Sequence, residues 1–263
     1  MKFYRVKALM LKYWYIATRR IDRLLDIFYW PLIGMLVWGF TTYYIADLVQ
    51  NNMIVNVLLG GAILWTIFII AQTDMGIYIL EDFWNRNIFN LFASPMKNSE
   101  LLLSIALFGL LRSAMSFLFL ISIAYLLYLF NLFSIGIFYI AIFAFGLILF
   151  GWVVGIFVTG FIFRYGGRVQ SFAWTIGWLV QPFSAVFYPL SSQPIWLQKI
   201  SLLLPTTYIF EGMRTALSKS AMDWRGLITS FSINIILLIL AYLFFESSIK
   251  AAKRKGMITR FYE

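Results

Sequence analysis

Residues 133–163 read FSIGIFYIAIFAFGLILFGWVVGIFVTGFIF, a stretch without a single charged side chain. A helix that crosses the hydrocarbon core of a bilayer needs about 20 predominantly apolar residues, so this stretch predicts a transmembrane helix. The rest of the 263-residue chain agrees, because 62% of its residues are apolar and 12% are charged. A soluble domain carries about a quarter charged residues. The sequence therefore predicts an all-α integral membrane protein.

Six apolar stretches are long enough to cross a membrane. Numbered as spans 1 to 6, they lie near 27–49, 54–79, 101–130, 133–163, 170–190 and 226–246. The short turn at Asn131 predicts that spans 3 and 4 form a tight antiparallel hairpin. In span 4, Gly151-x-x-x-Gly155 predicts a close approach to a neighbouring helix. We expect one six-span transmembrane domain over 27–263.

Lys and Arg residues fall mostly on one side of these predicted spans. That side carries the N-terminal segment, the 2–3 and 4–5 connections and a basic tail at 247–263, with Lys2, Arg5, Lys7, Lys12, Arg19, Arg20, Arg23, Arg86, Lys97, Arg164, Arg168, Lys250, Lys253, Arg254, Lys255 and Arg260. The opposite side has the cations of the 5–6 connection: Lys199, Arg214, Lys219 and Arg225. Because cytoplasmic loops carry the excess of Lys and Arg, both termini of this multi-pass cell-membrane protein are predicted to be cytoplasmic.

The first 26 residues predict an amphipathic helix that lies in the cytoplasmic membrane interface. On a helical wheel, every cation except Lys7 falls in one sector about 100° wide, and apolar residues such as Val6 and Trp14 lie outside it. Membrane lipids are therefore an expected partner. A solvated basic tail held near anionic lipid is the alternative.

The sequence lacks the residues that much enzyme chemistry requires. It contains no cysteine and no histidine, which excludes Cys/His zinc sites, thiol nucleophiles and histidine bases. It contains no G-x-x-x-x-G-K-[ST] motif to cradle ATP. The basic residues follow a membrane face instead of forming a groove, so nucleic acid is not an expected partner. We expect a non-catalytic chain that binds no metal or cofactor itself.

Two of the connections between predicted spans contain sequence patterns typical of short helices. Residues 80–95 begin with acids, place apolar residues at helical spacing and end in Ser-Pro, which predicts a short cytoplasmic helix. Such a helix would bind lipid or dock a cytoplasmic protein. Residues 191–222 have two apolar runs around Pro205, which predict short re-entrant helices on the outer side. A plain extracellular cap is the alternative for that segment.

Two charged residues interrupt the apolar spans, Asp74 in span 2 and Arg112 in span 3. An ionisable group inside a membrane is by default paired or functional. The two residues have similar predicted depths, so we expect a salt bridge between them. The alternative is a role in moving substrate or protons.

Span 5 combines aromatic rings with a polar amide and a helix break. Its relevant residues are Trp174, Trp178, Gln181, Pro182 and Phe183. Backbone groups freed at such a break need a partner or a cavity. One interpretation is the wall of a pathway for an amphiphilic molecule or a glycan, and the other is helix packing at a proline kink.

Two segments resemble ABC type-2 exporter permeases. The first runs from Glu81 to Arg86 and continues through Asn90-Leu91-Phe92-Ala93-Ser94-Pro95 to Glu100. The second is Leu204-Pro205-Thr206-Thr207-Tyr208-Ile209-Phe210-Glu211-Gly212-Met213-Arg214. The six-span plan, the basic N-terminal helix and the length are also similar, so the resemblance covers essentially the whole chain. The sequence departs from the pattern at Asn87-Ile88, where the family often has Gly-Thr.

This resemblance implies a permease subunit that pairs with a second copy, usually in a homodimer, and docks on a separate ATP-binding cassette subunit that holds ATP and Mg²⁺. The implied coupling surface consists of Glu81, Asp82, Trp84, Arg86 and Asn87. The implied outer gate contains Pro205, Tyr208, Glu211 and Arg214. A path lined by spans 1, 2 and 5 would export an amphiphilic, lipidic or glycan-type substrate.

Two other functions fit the sequence less well. A secondary transporter with Asp74 as the coupling residue would show inverted repeats and several midplane carboxylates, whereas this chain has one intramembrane aspartate and no visible repeat. An intramembrane enzyme would need a base or nucleophile constellation, which the sequence does not offer.

Overall fold

All regular secondary structure described by this computed structural model, over residues 1–50, 53–219 and 221–256, is helical. Those residues form α1 (Phe3–Arg19), α2 (Ile21–Val49), α3 (Met53–Trp84), α4 (Ile88–Ala93), α5 (Asn98–Tyr128), α6 (Ile137–Tyr165), α7 (Phe172–Val180), α8 (Ile195–Ser201), α9 (Pro205–Lys219) and α10 (Trp224–Lys255). Residues 257–263 of the predicted basic tail, which include Arg260, lie outside the described residues.

Five helical segments in the described part of the chain are long and apolar enough to cross a membrane. They are Leu25–Val49, Met53–Trp84, Asn98–Tyr128, Ile137–Val169 and Trp224–Lys255. These correspond to predicted spans 1, 2, 3, 4 and 6, so the expectation of a multi-pass helical membrane protein is confirmed. At about 1.5 Å per residue, helices of this length exceed a hydrocarbon core of about 30 Å.

The predicted span 5 is not one continuous helix. Helix α7 has nine residues, continues into a 3-10 turn at Gln181–Phe183, and gives way to non-helical backbone before Pro189. Pro182 lacks the backbone donor that an α-helix needs, which explains why the helix does not continue. The predicted helix break is therefore confirmed, while a sixth membrane crossing stays a prediction.

Helix α3 occupies the centre of the packing. It contacts α2, α5, α6, α7 and α9, and most of its length is buried, as expected for a helix that is hydrophobic all round. Helix α6 packs mainly on α3 and α10, and α5 packs mainly on α3, α1 and α2. The prediction of a tight hairpin between spans 3 and 4 is wrong, because α5 and α6 pack chiefly on α3 and barely on each other.

Glycines on α6 allow the close contact with α3. A Cβ added at Gly151 would lie 2.9 Å from the Phe68 carbonyl oxygen, and one at Gly155 would lie 2.7 Å from the Gln72 carbonyl oxygen. Small residues let helix backbones approach in this way. The packing role predicted for Gly151-x-x-x-Gly155 is confirmed.

Side-chain hydrogen bonds also connect α3 to its neighbours. Thr159 Oγ1 on α6 donates to the Met75 carbonyl at 2.9 Å, and Gln72 Nε2 donates to the Ala173 carbonyl on α7 at 3.2 Å. Both bonds join buried groups, which would otherwise leave polar atoms unsatisfied. They place α6 and α7 against the same stretch of α3.

Gly155→Ala is expected to lower the melting temperature of the detergent-purified protein. The added methyl group would press on the α3 backbone, and overpacking of a well-packed core costs about 1–3 kcal/mol. Gly34→Ala is the matched control, because nothing lies within 4 Å of a Cβ at Gly34. Equal melting temperatures for the two variants would contradict this account of the α3–α6 contact.

Candidate functional site

The connection between α3 and α5 contains a sharp change of chain direction. Helix α3 ends at Trp84 and α4 begins at Ile88, and between them Arg86 has a left-handed backbone with φ of 55°. Such a conformation is uncommon for a residue other than glycine. The short helix predicted over 80–95 is therefore divided into the last turn of α3 and the separate α4, a region that we call the corner (residues 81–100).

The predicted coupling residues differ in their exposure at the corner. Glu81 and Asp82 are buried, with relative exposures of 1% and 2%. Trp84 is half-buried, Asn87 donates through Nδ2 to Asp82 Oδ1 at 2.9 Å, and Arg86 is exposed. Of these five side chains, Arg86 is therefore the most accessible to a partner, and the coupling role of the set stays a prediction.

Glu81 links the corner to the beginning of α2. Arg23 donates through Nε to Glu81 Oε1 at 2.7 Å and through Nη1 to Asp26 Oδ2 at 3.0 Å. Arg20 lies 3.5 Å from the same Glu81 oxygen. Because Arg23 and Glu81 are both buried, the loss of either would leave an uncompensated charge inside the protein.

Two further carboxylates of the corner are engaged by α1 and by the residue before it. Lys12 contacts Asp82, and Arg5 lies 3.5 Å from Glu100. The backbone N–H of Lys2 donates to the other Glu100 oxygen at 2.7 Å. Together with the Arg23 pair, these contacts form what we call the N-terminal ion network. Sequence reasoning missed it, since the cationic sector of α1 suits lipid phosphates as well as protein carboxylates.

The intramembrane residues Asp74 and Arg112 are brought together by the structure. Arg112 Nη1 contacts Asp74 Oδ1 and also donates to the Tyr78 hydroxyl at 3.3 Å. Both charged side chains are buried, and among the described residues Asp74 Oδ2 accepts no hydrogen bond. The pair connects α3 to α5 at a depth where unpaired charges are costly.

A cavity of about 660 Å³, which we call the groove, is formed mainly by α2, α3 and α7. Its lining residues are Asp26, Trp30, Ile33, Gly34, Ile69, Ile70, Thr73, Asp74, Ile77, Arg112, Trp174 and Trp178. Ligand pockets typically have volumes of about 300–1,000 Å³ and a mostly apolar lining with a few polar groups. The groove therefore has the size and composition of a small-molecule site.

A second cavity of about 150 Å³ adjoins the groove and shares Trp30 and Trp178 with it. Of the predicted pathway residues, Trp174 and Trp178 line the groove, and Gln181 lines the second cavity. Phe183 lines neither of these two cavities. Sequence reasoning missed Asp26 and Trp30, although their four-residue spacing on a helix places them on one face.

The predicted outer-gate residues cluster where α9 meets the non-helical segment 184–189. Arg214 donates to the carbonyls of Val186 at 3.1 Å and Tyr188 at 2.9 Å and also contacts that of Ala185. Burial lowers the pKa of the Arg214 guanidinium, and the carboxylate of Glu211 opposes that effect. One arginine on α9 thus holds three backbone groups of this segment.

Glu211 completes this cluster. It accepts hydrogen bonds from Arg214 Nη1 at 2.9 Å and from the Leu190 N–H at 2.6 Å. Pro205 is the first residue of α9, where its missing donor costs least. The Tyr208 hydroxyl donates to the Leu202 carbonyl at 2.9 Å. All four predicted residues therefore lie on α9, whose polar contacts fix the segments on either side of α8.

Long apolar helices in the described part of the chain, with charged and aromatic side chains around a groove, define a multi-pass membrane protein. The sequence matches the ABC-2 type transporter family over residues 6–218, and the chain belongs to that family. It is therefore the transmembrane transport component of an ABC transporter, a kind of subunit that is generally non-catalytic and associates with an ATP-binding subunit. A search of curated proteins returns no match to the sequence.

Arg112→Ala is expected to destabilise the protein by about 3–5 kcal/mol, because it leaves a buried carboxylate without its partner. The loss would appear as less monodisperse protein and a lower melting temperature in detergent. Asp74→Ala combined with Arg112→Ala is expected to recover part of this loss, since neither member of the pair is then left as an unpaired buried charge. Arg225→Ala on the exposed start of α10 is the control. If Arg112→Ala behaves like that control, the pair does not stabilise the fold.

Arg214→Ala is expected to speed tryptic cleavage after the exposed Lys199, because the segment before α8 loses its anchor on α9. Arg214→Lys is expected to restore protection only in part, since an ammonium lacks the planar fork of donors. The rate is measured by gel or mass spectrometry during limited proteolysis, with Arg225→Ala as the control. A cleavage rate equal to that of the control would show that the Arg214 contacts do not hold this segment.

Proposed function

We propose that this chain is the permease subunit of an ATP-driven exporter in which two identical chains each dock on a separate ATP-binding cassette subunit. Family membership supports the ABC assignment. The observation that carries the proposal is the double engagement of Arg23, which contacts Glu81 at the corner and Asp26 in the groove. This arginine connects the expected docking site of the ATP-binding subunit to the cavity for the substrate.

In this proposal the energy for transport comes from a partner subunit. The sequence has no P-loop motif, so in this proposal ATP and Mg²⁺ bind to the partner subunit. Arg86 and the short helix α4 form the contact with that partner. Closure of two ATP-binding subunits would displace both corners of the dimer together.

The N-terminal ion network gives this displacement a route to the groove. A shift of the corner acts on α2 through Glu81 and Arg23, and on α1 through Asp82 and Lys12. Buried ion pairs resist separation, because removing either partner strands a charge. The two helices therefore move with the corner, and a movement of α2 against α3 and α7 changes the width of the groove.

In this proposal the substrate moves outward along the groove. Helix α2 belongs to span 1, α3 to span 2 and α7 to span 5, which are the spans expected to line the path. An amphiphilic, lipidic or glycan-type molecule suits a lining that joins indole rings to a few charged groups. The α9 cluster around Arg214 serves as the outer gate, and both termini are cytoplasmic, as the distribution of Lys and Arg indicates.

The alternative, a secondary transporter that uses Asp74 as its coupling residue, has less support. A coupling carboxylate must bind and release its ion or proton during each cycle, whereas Asp74 is held by Arg112. The family of this chain also points to an ATP-binding partner.

The proposal predicts that a soluble ATPase with a P-loop co-purifies with this chain from native membranes in mild detergent, and that the product hydrolyses ATP. Arg86→Glu is expected to lower the amount of bound ATPase, because it reverses an exposed charge at the corner. Arg168→Glu, at another exposed cation on the side predicted to be cytoplasmic, is the matched control.

Two results would overturn this assignment. One is recovery of the unmodified chain without any ATPase. The other is equal retention of the ATPase by Arg86→Glu and Arg168→Glu, which would place the docking surface away from the corner.

A further inference from the structure

The two walls of the groove present a carboxylate and three indole rings to the same space. Asp26 and Trp30 lie one helical turn apart on α2, and Trp174 and Trp178 lie one turn apart on α7. The side chain of Asp26 is 35% exposed, and Trp30 and Trp178 are 64% and 58% exposed. These groups are therefore available to a ligand in the described chain.

The charges around the groove leave its acceptors more accessible than its donors. Arg112 is buried and contacts Asp74. Arg23 donates through Nε to Glu81 and through Nη1 to Asp26. A carboxylate has about four acceptor positions on its two oxygens, and the contact with Arg23 involves one oxygen of Asp26. Each of the two carboxylates that line the groove has a guanidinium partner, and the accessible acceptor is the oxygen of Asp26 that Arg23 does not contact.

Carboxylates and aromatic faces together form the chemistry that recognises an ammonium group. A cation within about 6 Å of an indole ring centre is attracted by the negative face of the ring, and tryptophan gives the strongest such contact. The attraction grows when the site excludes water. Because Asp26 and Trp30 share a helix face and Trp178 lies across the groove, one head group can contact all three.

We infer that the groove binds an amphiphile with a cationic ammonium head group, held by Asp26 and by the indoles of Trp30, Trp174 and Trp178. The inference rests on the proposed function, since it names the class of substrate that this path accepts. An anionic head group would face Asp26, while the guanidinium of Arg112 is engaged by Asp74 and that of Arg23 by Asp26 and Glu81. A glycan would need many hydrogen-bonding partners, whereas the lining is mainly apolar.

The apolar tail lies over Ile69 and Ile70 and enters the second cavity. Both isoleucines line the groove and the second cavity alike. The far wall of the second cavity includes Trp38 and Phe187, whose rings stack at 3.8 Å. A single alkyl chain thus follows an apolar surface from the head-group site toward the end of α7.

Binding is tested with the full-length chain alone in a non-ionic maltoside detergent, without any ATPase subunit, because phosphatidylcholine would itself present a trimethylammonium group to the groove. The probes are an undecyl trimethylammonium and an undecanoate that carry the same dansyl group, and energy transfer from tryptophan to dansyl reports binding. The cationic probe is expected to bind about tenfold more tightly than the anionic one, since a charge-assisted contact and its repulsive counterpart differ by at least that factor.

Asp26→Asn is expected to weaken binding of the cationic probe about tenfold and to leave the anionic probe unchanged or tighter. Asp47→Asn is the matched control, because Asp47 is an exposed carboxylate on the same helix that does not line the groove. Asp26→Glu keeps the charge and is expected to keep the preference for the cation. This second variant keeps the test decisive if Asp26→Asn fails to fold.

Three results would overturn the inference. They are equal affinities for the two probes, equal effects of Asp26→Asn and Asp47→Asn, and no binding of either probe because a second copy covers the groove. Each can occur while the ATPase still co-purifies through the corner, and cation binding can persist when no ATPase is recovered. The two proposals therefore fail separately.

Discussion

The arrangement of the helices depends on the rule that a buried charge must be paired. Helix α3 carries three buried carboxylates, Asp74, Glu81 and Asp82, and each is met by a cation from a different helix. Arg112 comes from α5, Arg23 from α2 and Lys12 from α1. Since an uncompensated ion at such sites costs several kcal/mol, about as much as a large part of the stability of a domain, these pairs fix the neighbours of α3 more specifically than apolar contact does.

On its opposite side, α3 makes a close-packed contact with α6. There the glycines of α6 bring two backbones together, and the contact relies on shape instead of charge. The charged side of α3 continues to the corner and the groove, and the close-packed side holds α6, on which α10 packs. Helix α3, which ends at the corner, is thus held against α6.

Much of this architecture follows from sequence patterns that have one physical meaning. Long uncharged runs have few structures open to them, so the spanning helices are predictable. Pro182 removes a backbone donor within an apolar run, so the break after α7 is predictable as well. The same reasoning expected Asp74 and Arg112 to meet.

Other sequence patterns are compatible with two structures. A cationic sector on α1 fits lipid phosphates or Glu81, Asp82 and Glu100, and a short turn at Asn131 does not reveal that α5 and α6 each pack chiefly on α3. Asp26, which also lines the groove, was not singled out because it is the last residue of the segment predicted as the interfacial helix.

Arg214 on α9 anchors the segment 185–190 through its guanidinium group. Its Nη1 donates to Glu211, and the two N–H groups of its Nη2 are shared among three carbonyls. The guanidinium keeps its charge at physiological pH, so a change of pH would not release the segment. A displacement of α9 would. The position of segment 185–190 is therefore tied to the position of α9 through a single side chain.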